Sequence, residues 1–295
     1  MKIQKPKKKY RRLITILACI LLPILFIPSC MRFRTSDKKT KQYFDEVRVA
    51  TEIIYTKDTV SHKKIRTVKT HKNSVGKAVL FIHGAPGSGD AFYKYLKDSV
   101  LLANANLYTV DRPGYGYSDF GNVVISIEEQ TRLINLLVDA IPESNVVVVG
   151  HSYGGPIAAN MALISDKVKG VLMIAPAIDP EHEKIFAIAH LGTWKALRWL
   201  IPKAWLVATD EKFSHANELK KIQNKWENVN VPVVVMHGKK DKLVPFENTD
   251  FTNVYFSGPN YRLVVFEKEN HFIPWTKREA VIQQLLKLLQ NISNF

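Results

Sequence analysis

Residues 146–158 read VVVVGHSYGGPIA. Four valines run into Gly150-His151-Ser152-Tyr153-Gly154, and small residues follow. An apolar run this short, with no polar alternation, predicts a strand buried on both faces, as in a parallel sheet covered by helices. The small residues after it predict a helix that begins at once. A strand turning that sharply into a helix forces its turning residue into a strained backbone, and side chains two positions away would collide. Glycine at 150 and 154 removes the collision. The Ser152 hydroxyl is then expected to stand out at the end of the sheet, with the first N–H groups of the helix pointing the same way.

Outward from this turn the same pattern repeats. Apolar runs at 78–83, 106–111, 146–150, 168–175, 231–237 and 262–266 alternate with helical stretches, which argues a doubly wound α/β sheet. Residues 47–56 and 63–70 are rich in β-branched side chains around a turn-like Lys57-Asp58, and predict an antiparallel pair at one edge. Ser126-Ile127-Glu128-Glu129 is a capping box ahead of Leu133, Ile134, Leu137, Val138 and Ile141 on one face. Thr276-Lys277-Arg278-Glu279 predicts a second box opening the last helix. Residues 177–213 break the alternation. They hold three of the five tryptophans, Trp194, Trp199 and Trp205, and predict a small apolar helical lid inserted into a core of 47–176 and 214–295.

The net charge of +15 is unevenly spread. Residues 1–72 carry 19 Lys/Arg against 5 Asp/Glu, and the remainder 23 against 22. A nucleic-acid-binding domain would carry its own basic face, so no nucleic-acid partner is implied. The N-terminus, MKIQKPKKKYRR, holds seven cations and no acid, and residues 13–28 are uncharged. This is the layout of an export signal. The run is short for a span of ~20 residues. Residues 1–29 are therefore read as a signal peptide or membrane anchor with the rest outside the cytoplasm, and 30–46 as a polar linker. Both cysteines, Cys19 and Cys30, lie here, so no disulfide framework is expected. Ile27-Pro28-Ser29-Cys30 resembles a bacterial lipobox, which implies cleavage before Cys30 and its lipidation. An uncleaved anchor, and a cytoplasmic chain, remain the other readings.

Four motifs in order resemble those of the α/β-hydrolases, from about residue 45 to the C-terminus. VLFIHGAPGSG (79–89) resembles the oxyanion loop and DRPGYGYSD (111–119) the family's DRPGxGxS turn. GHSYGG (150–155) resembles the nucleophile elbow, and VVVMHGKKDKLVP (233–245) the strand carrying the acid. ENHF (269–272) matches the histidine loop, with Asn270 where the family usually has glycine. The resemblance implies a mostly parallel sheet with helices on both faces. It also implies Ser152 as nucleophile, His271 as base and Asp241 as the acid orienting it, in the chain order Ser…Asp…His. The N–H groups of Tyr153 and Ala85 would form the oxyanion hole. Asp179, after an earlier strand, is the alternative acid. His83, His151, His237, Asp111 and Arg112 are expected to support loops.

A serine at 152 sets the chain apart from relatives with aspartate there, such as haloalkane dehalogenases and epoxide hydrolases. Proline iminopeptidases usually show HGGPG and GxSWG, so that likeness is partial. Phe186, Trp194 and Leu197 are the expected lid residues lining an apolar substrate pocket, although a short insertion needs such residues to bury one face in any case. The expected activity is hydrolysis of carboxylic esters, lipophilic ones included, with no metal or organic cofactor. Amide or C–C bond hydrolysis with the same triad, and a non-catalytic binding module of the same fold, are the alternatives.

Overall fold

The computed structural model describes residues 33–71, 76–196, 198–256 and 258–292. Residues 1–29, Cys30 and Leu197 lie outside the described residues, and with them the anchor, the lipidation site and one expected pocket residue. Among the described residues no helix is long and apolar enough to cross a membrane.

Eight strands are β1 Ala50–Lys57, β2 Lys64–His71, β3 Lys77–Ile82, β4 Asn106–Val110, β5 Asn145–His151, β6 Val168–Ile174, β7 Val233–Gly238 and β8 Tyr261–Phe266. They form one sheet in the order β1-β2-β4-β3-β5-β6-β7-β8. The β1–β2 and β2–β4 pairs are antiparallel and all others parallel. The valine run shows why no polar alternation is needed. Val146 and Val148 face a core with Leu133, Ile134 and Ile157, while Val147 and Val149 face another with Phe81, Leu172 and Leu285. Alternate side chains point to opposite faces, and both faces are covered.

The main helices are α1 Asp37–Glu46, α2 Ile127–Ala140, α3 Gly154–Ile164, α4 Lys203–Ile222, α5 Asn248–Tyr255 and α6 Arg278–Asn291. Ser126 caps α2 by accepting from the Glu129 N–H at 3.2 Å. The reciprocal half of that box is diverted, since the Glu129 carboxylate pairs with Arg132 at 2.7 Å.

Three expectations are corrected. Residues 37–46, read as linker, are the helix α1. Its Phe44 is fully buried against Val68 and Tyr93, worth about 2 kcal/mol of apolar burial, and Thr40 accepts from the buried Arg66 at 3.0 Å. The box at 276–279 does not form. Thr276 ends a short helix and its hydroxyl donates back to the Phe272 carbonyl, because Pro274 starts a turn there that precedes α6. The lid boundary at 213 falls inside α4, whose buried face runs unbroken through Val207, Glu211, His215, Leu219 and Ile222. Among the described residues of 177–202 the helical segments are 3-10 turns, Ala187–Thr193 and Arg198–Leu200.

The chain passes from β3 to β4 on one side and returns to β5 on the other. The crevice at the carboxyl ends of β3 and β5 is therefore a topological switch point, where open α/β sheets place their sites.

Candidate active site

Ser152 occupies the turn between β5 and α3 with φ of +54°. A β-carbon on Gly150 would lie 2.2 Å from the Gly154 carbonyl oxygen, and one on Gly154 2.4 Å from the Ile82 oxygen. Both distances are impossible for a real side chain, so the turn closes only with glycine. The Ser152 N–H donates to the Ile174 carbonyl at 3.0 Å, which ties the turn to β6. Ser152 is partly buried.

Asp241 follows β7 and His271 follows β8. The His271 Nδ1–H donates to Asp241 Oδ2 at 2.7 Å. The other oxygen, Oδ1, accepts from the Leu243 and Val244 N–H groups, both at 2.9 Å. Burial opposes the charge on Asp241. Contacts from His237 and His271 outweigh it and hold the carboxyl well below the usual carboxylate range. A carboxylate on Nδ1 fixes the tautomer and leaves Nε2 with a free lone pair, the form a general base needs. The ring of His271 lies 4.7 Å from that of His151, the residue next to Ser152. His151 Nε2–H donates to the His271 carbonyl at 3.1 Å. Burial and the neighbouring His271 push the His151 pKa down to about 3, so this ring is neutral. Asp179 is elsewhere occupied, with its Oδ2 2.6 Å from His182 Nδ1.

The loop after β3 covers the serine. A β-carbon at Gly84 would sit 3.0 Å from the Ser152 β-carbon. Among the described residues neither the Ala85 nor the Tyr153 N–H has a hydrogen-bond acceptor. His83 fixes this loop. Its Nε2 accepts from the Arg112 N–H at 2.9 Å, so its Nδ1 carries the proton and donates to the Gly84 carbonyl at 2.7 Å. Burial, then the Arg112 charge, lower its pKa well below that of an ordinary histidine, which keeps that tautomer.

Arg112 does more than pin its own turn. Its guanidinium donates to the His83 and Gly84 carbonyls at 2.9 and 3.3 Å. It also forms a two-pronged pair with Glu211 of α4, at 2.8 and 3.0 Å. Both residues are fully buried. Burial works against the Arg112 charge, yet the Glu211 carboxylate holds its pKa above the ordinary value. Gln130 and Tyr115 complete the shell around Glu211 at 2.9 and 2.6 Å. The Tyr153 ring lies between Arg112, 4.4 Å from its centroid, and His215 of α4, stacked at 4.3 Å. The lid helix thus clamps the residue after Ser152. Glu211 and His215 escape a reading of the sequence for motifs. Their signal is polar residues spaced in phase with Val207, Leu219 and Ile222.

Of the expected pocket residues, Phe186 and Trp194 are 44% and 60% exposed. They stand on the outer face of the lid and do not line an enclosed cavity, because the short turns that carry them bury little of their surface.

Residues 77–196 match the family model described as alpha/beta hydrolase fold. A stretch of 108 residues is 32% identical to the multifunctional-autoprocessing repeats-in-toxin of Vibrio cholerae; it covers 34% of this chain, and the chain spans only 2% of the toxin's length. A 2-hydroxy-6-oxo-6-phenylhexa-2,4-dienoate hydrolase of Burkholderia cepacia is 23% identical, over 79% of this chain and 95% of the relative. The crystal structure of a membrane phospholipase A, a bacterial virulence factor, superposes with a TM-score of 0.66 at 14% identity, covering 98% of this chain and 100% of the other. At that identity the likeness shows the fold alone. Sheet order, elbow and the family model over residues 77–196 agree that the chain has the α/β-hydrolase fold.

Proposed function

We propose that this α/β-hydrolase is a membrane-anchored serine hydrolase of carboxylic esters, acting on lipophilic acyl groups. The observation that carries the reading is the 2.7 Å bond from His271 Nδ1–H to Asp241, with the His271 ring 4.7 Å from that of His151, the neighbour of Ser152 on its strained elbow. His271 Nε2 takes the Ser152 proton as Oγ attacks the ester carbonyl. The imidazolium that forms is stabilised by Asp241. Charge developing on the carbonyl oxygen is met by the Ala85 and Tyr153 N–H groups, each worth about 3–4 kcal/mol in the transition state. The imidazolium returns its proton to the leaving alkoxide, which departs as alcohol. Water, deprotonated by the same nitrogen, then releases the acid from the acyl-enzyme.

One feature favours lipophilic esters: the cationic and apolar N-terminal run, which would hold the chain at a membrane. A panel of p-nitrophenyl esters from acetate to palmitate, assayed with the full chain in detergent, tests it. Specificity is expected to rise with acyl length and to vanish in Ser152→Ala. Hydrolysis confined to short esters removes the lipophilic part of the proposal, and hydrolysis of amide or C–C substrates alone replaces the ester reading.

A further inference from the structure

The lid turns apolar side chains outward. Ile188, Trp194 and Trp199 are 73%, 60% and 77% exposed, with Ile185, Phe186 and Leu191 beside them in sequence and also exposed. Residues 184–205 carry Lys184, Lys195, Arg198 and Lys203 and no acid. Tryptophan interleaved with lysine and arginine suits the headgroup layer of a bilayer, where the rings sit at the interface and the cations meet anionic lipid.

The point at which the chain enters the described structure indicates what covers this face. Phe33 packs against Trp205 at the start of α4, ring centroids 6.2 Å apart. Arg34 is fixed over Tyr117 and Phe120, 4.0 and 4.4 Å from their centroids. The uncharged run at 13–28 ends five positions before Phe33. Five extended residues reach at most about 18 Å. A membrane holding that run is therefore held close to the lid.

We propose that the exposed face of the lid at 185–199 docks on an anionic lipid bilayer, with Trp194 and Trp199 at headgroup depth. The N-terminal run keeps the domain in that orientation, and the lid, which clamps Tyr153 beside the nucleophile, brings the site to the bilayer surface. The inference rests on the membrane attachment proposed above and not on the chemistry of Ser152.

The test uses the full chain carrying Ser152→Ala, so that lipid is not consumed. It is reconstituted into phosphatidylcholine–phosphatidylglycerol vesicles with brominated acyl chains, which quench nearby tryptophan. Quenching is expected, and most of it should be lost in the Trp194→Phe/Trp199→Phe chain, whose lid keeps its apolar character. Omitting phosphatidylglycerol should weaken the quenching. Equal quenching with and without the two tryptophans, or none, overturns the proposal; a lid covered by residues 13–28 or by a second copy gives none. The serine-containing chain is assayed in parallel on a soluble ester. No hydrolysis with quenching retained removes only the ester reading, and hydrolysis without quenching removes only the docking.

Discussion

Glu211→Gln is the substitution with the largest structural consequence outside the site itself. Oε1 accepts from Arg112 and Gln130 at 2.8 and 2.9 Å, and Oε2 from Arg112 and Tyr115 at 3.0 and 2.6 Å. A glutamine amide keeps one acceptor oxygen and turns its NH2 toward two donors. The Arg112 charge is left buried without a counter-ion. Breaking a buried pair in this way costs about 3–5 kcal/mol, while replacing both partners with apolar groups is often near neutral. Equilibrium urea denaturation of wild type, Glu211→Gln, Arg112→Met and Glu211→Gln/Arg112→Met measures the coupling. Each single variant is expected to lose about 3–5 kcal/mol, and the double variant less than the sum of the two. Arg112 also holds the His83 and Gly84 carbonyls, so the loop bearing the Ala85 N–H loosens with it. The kcat for a soluble ester should fall, by about 100- to 1,000-fold if that donor is lost, with KM little changed. A Glu211→Gln protein within about 1 kcal/mol of wild type, or singles that add, would refute the role given to the pair.

Ser152→Gly should abolish ester hydrolysis yet raise stability by about 1 kcal/mol in urea, because glycine carries no penalty at φ of +54°; a loss of stability would contradict the strain. Gly154→Ala places a methyl 2.4 Å from the Ile82 oxygen and should cost about 1–3 kcal/mol and most of the activity; unchanged kcat would count against the elbow geometry. His151, held at about 3, stays neutral in the folded chain where the unfolded chain takes up a proton below about 6.5. Stability should therefore fall as pH drops from about 6.5 toward 3, by about 1.4 kcal/mol per pH unit, and be unaffected by this group above 6.5. The depressed Asp241 carboxyl adds a further loss only below about pH 4, as acid protonates it. A stability flat between pH 6.5 and 4 would contradict the buried, neutral state of His151.

What the sequence made legible is what local physics determines. The unalternating valines mean two covered faces, and the sheet supplies both. Glycine at 150 and 154 answers to a close approach of backbone atoms that no other residue tolerates. Asp241 and His271 follow successive strands, so a parallel register brings them to one edge. What stayed hidden depends on partners distant in the chain. Helix α1 is strongly polar and buries little beyond Thr40 and Phe44, and is held by Arg66 on β2, through Asp37 at 2.7 Å, which no periodicity announces. Glu211 reads as a surface carboxylate until Arg112, 99 positions away, is seen to meet it. The outward-facing lid residues look in sequence like those of a buried pocket, because an apolar side chain does not state which solvent it meets.

The central claim is that Ser152 is a nucleophile activated by His271. Fluorophosphonate labelling of the full chain, read by peptide mass spectrometry, tests it most directly. A single adduct on Ser152 is expected, absent in Ser152→Ala and formed far more slowly in His271→Ala. An adduct that persists in Ser152→Ala, or forms at the wild-type rate without His271, would contradict the assignment.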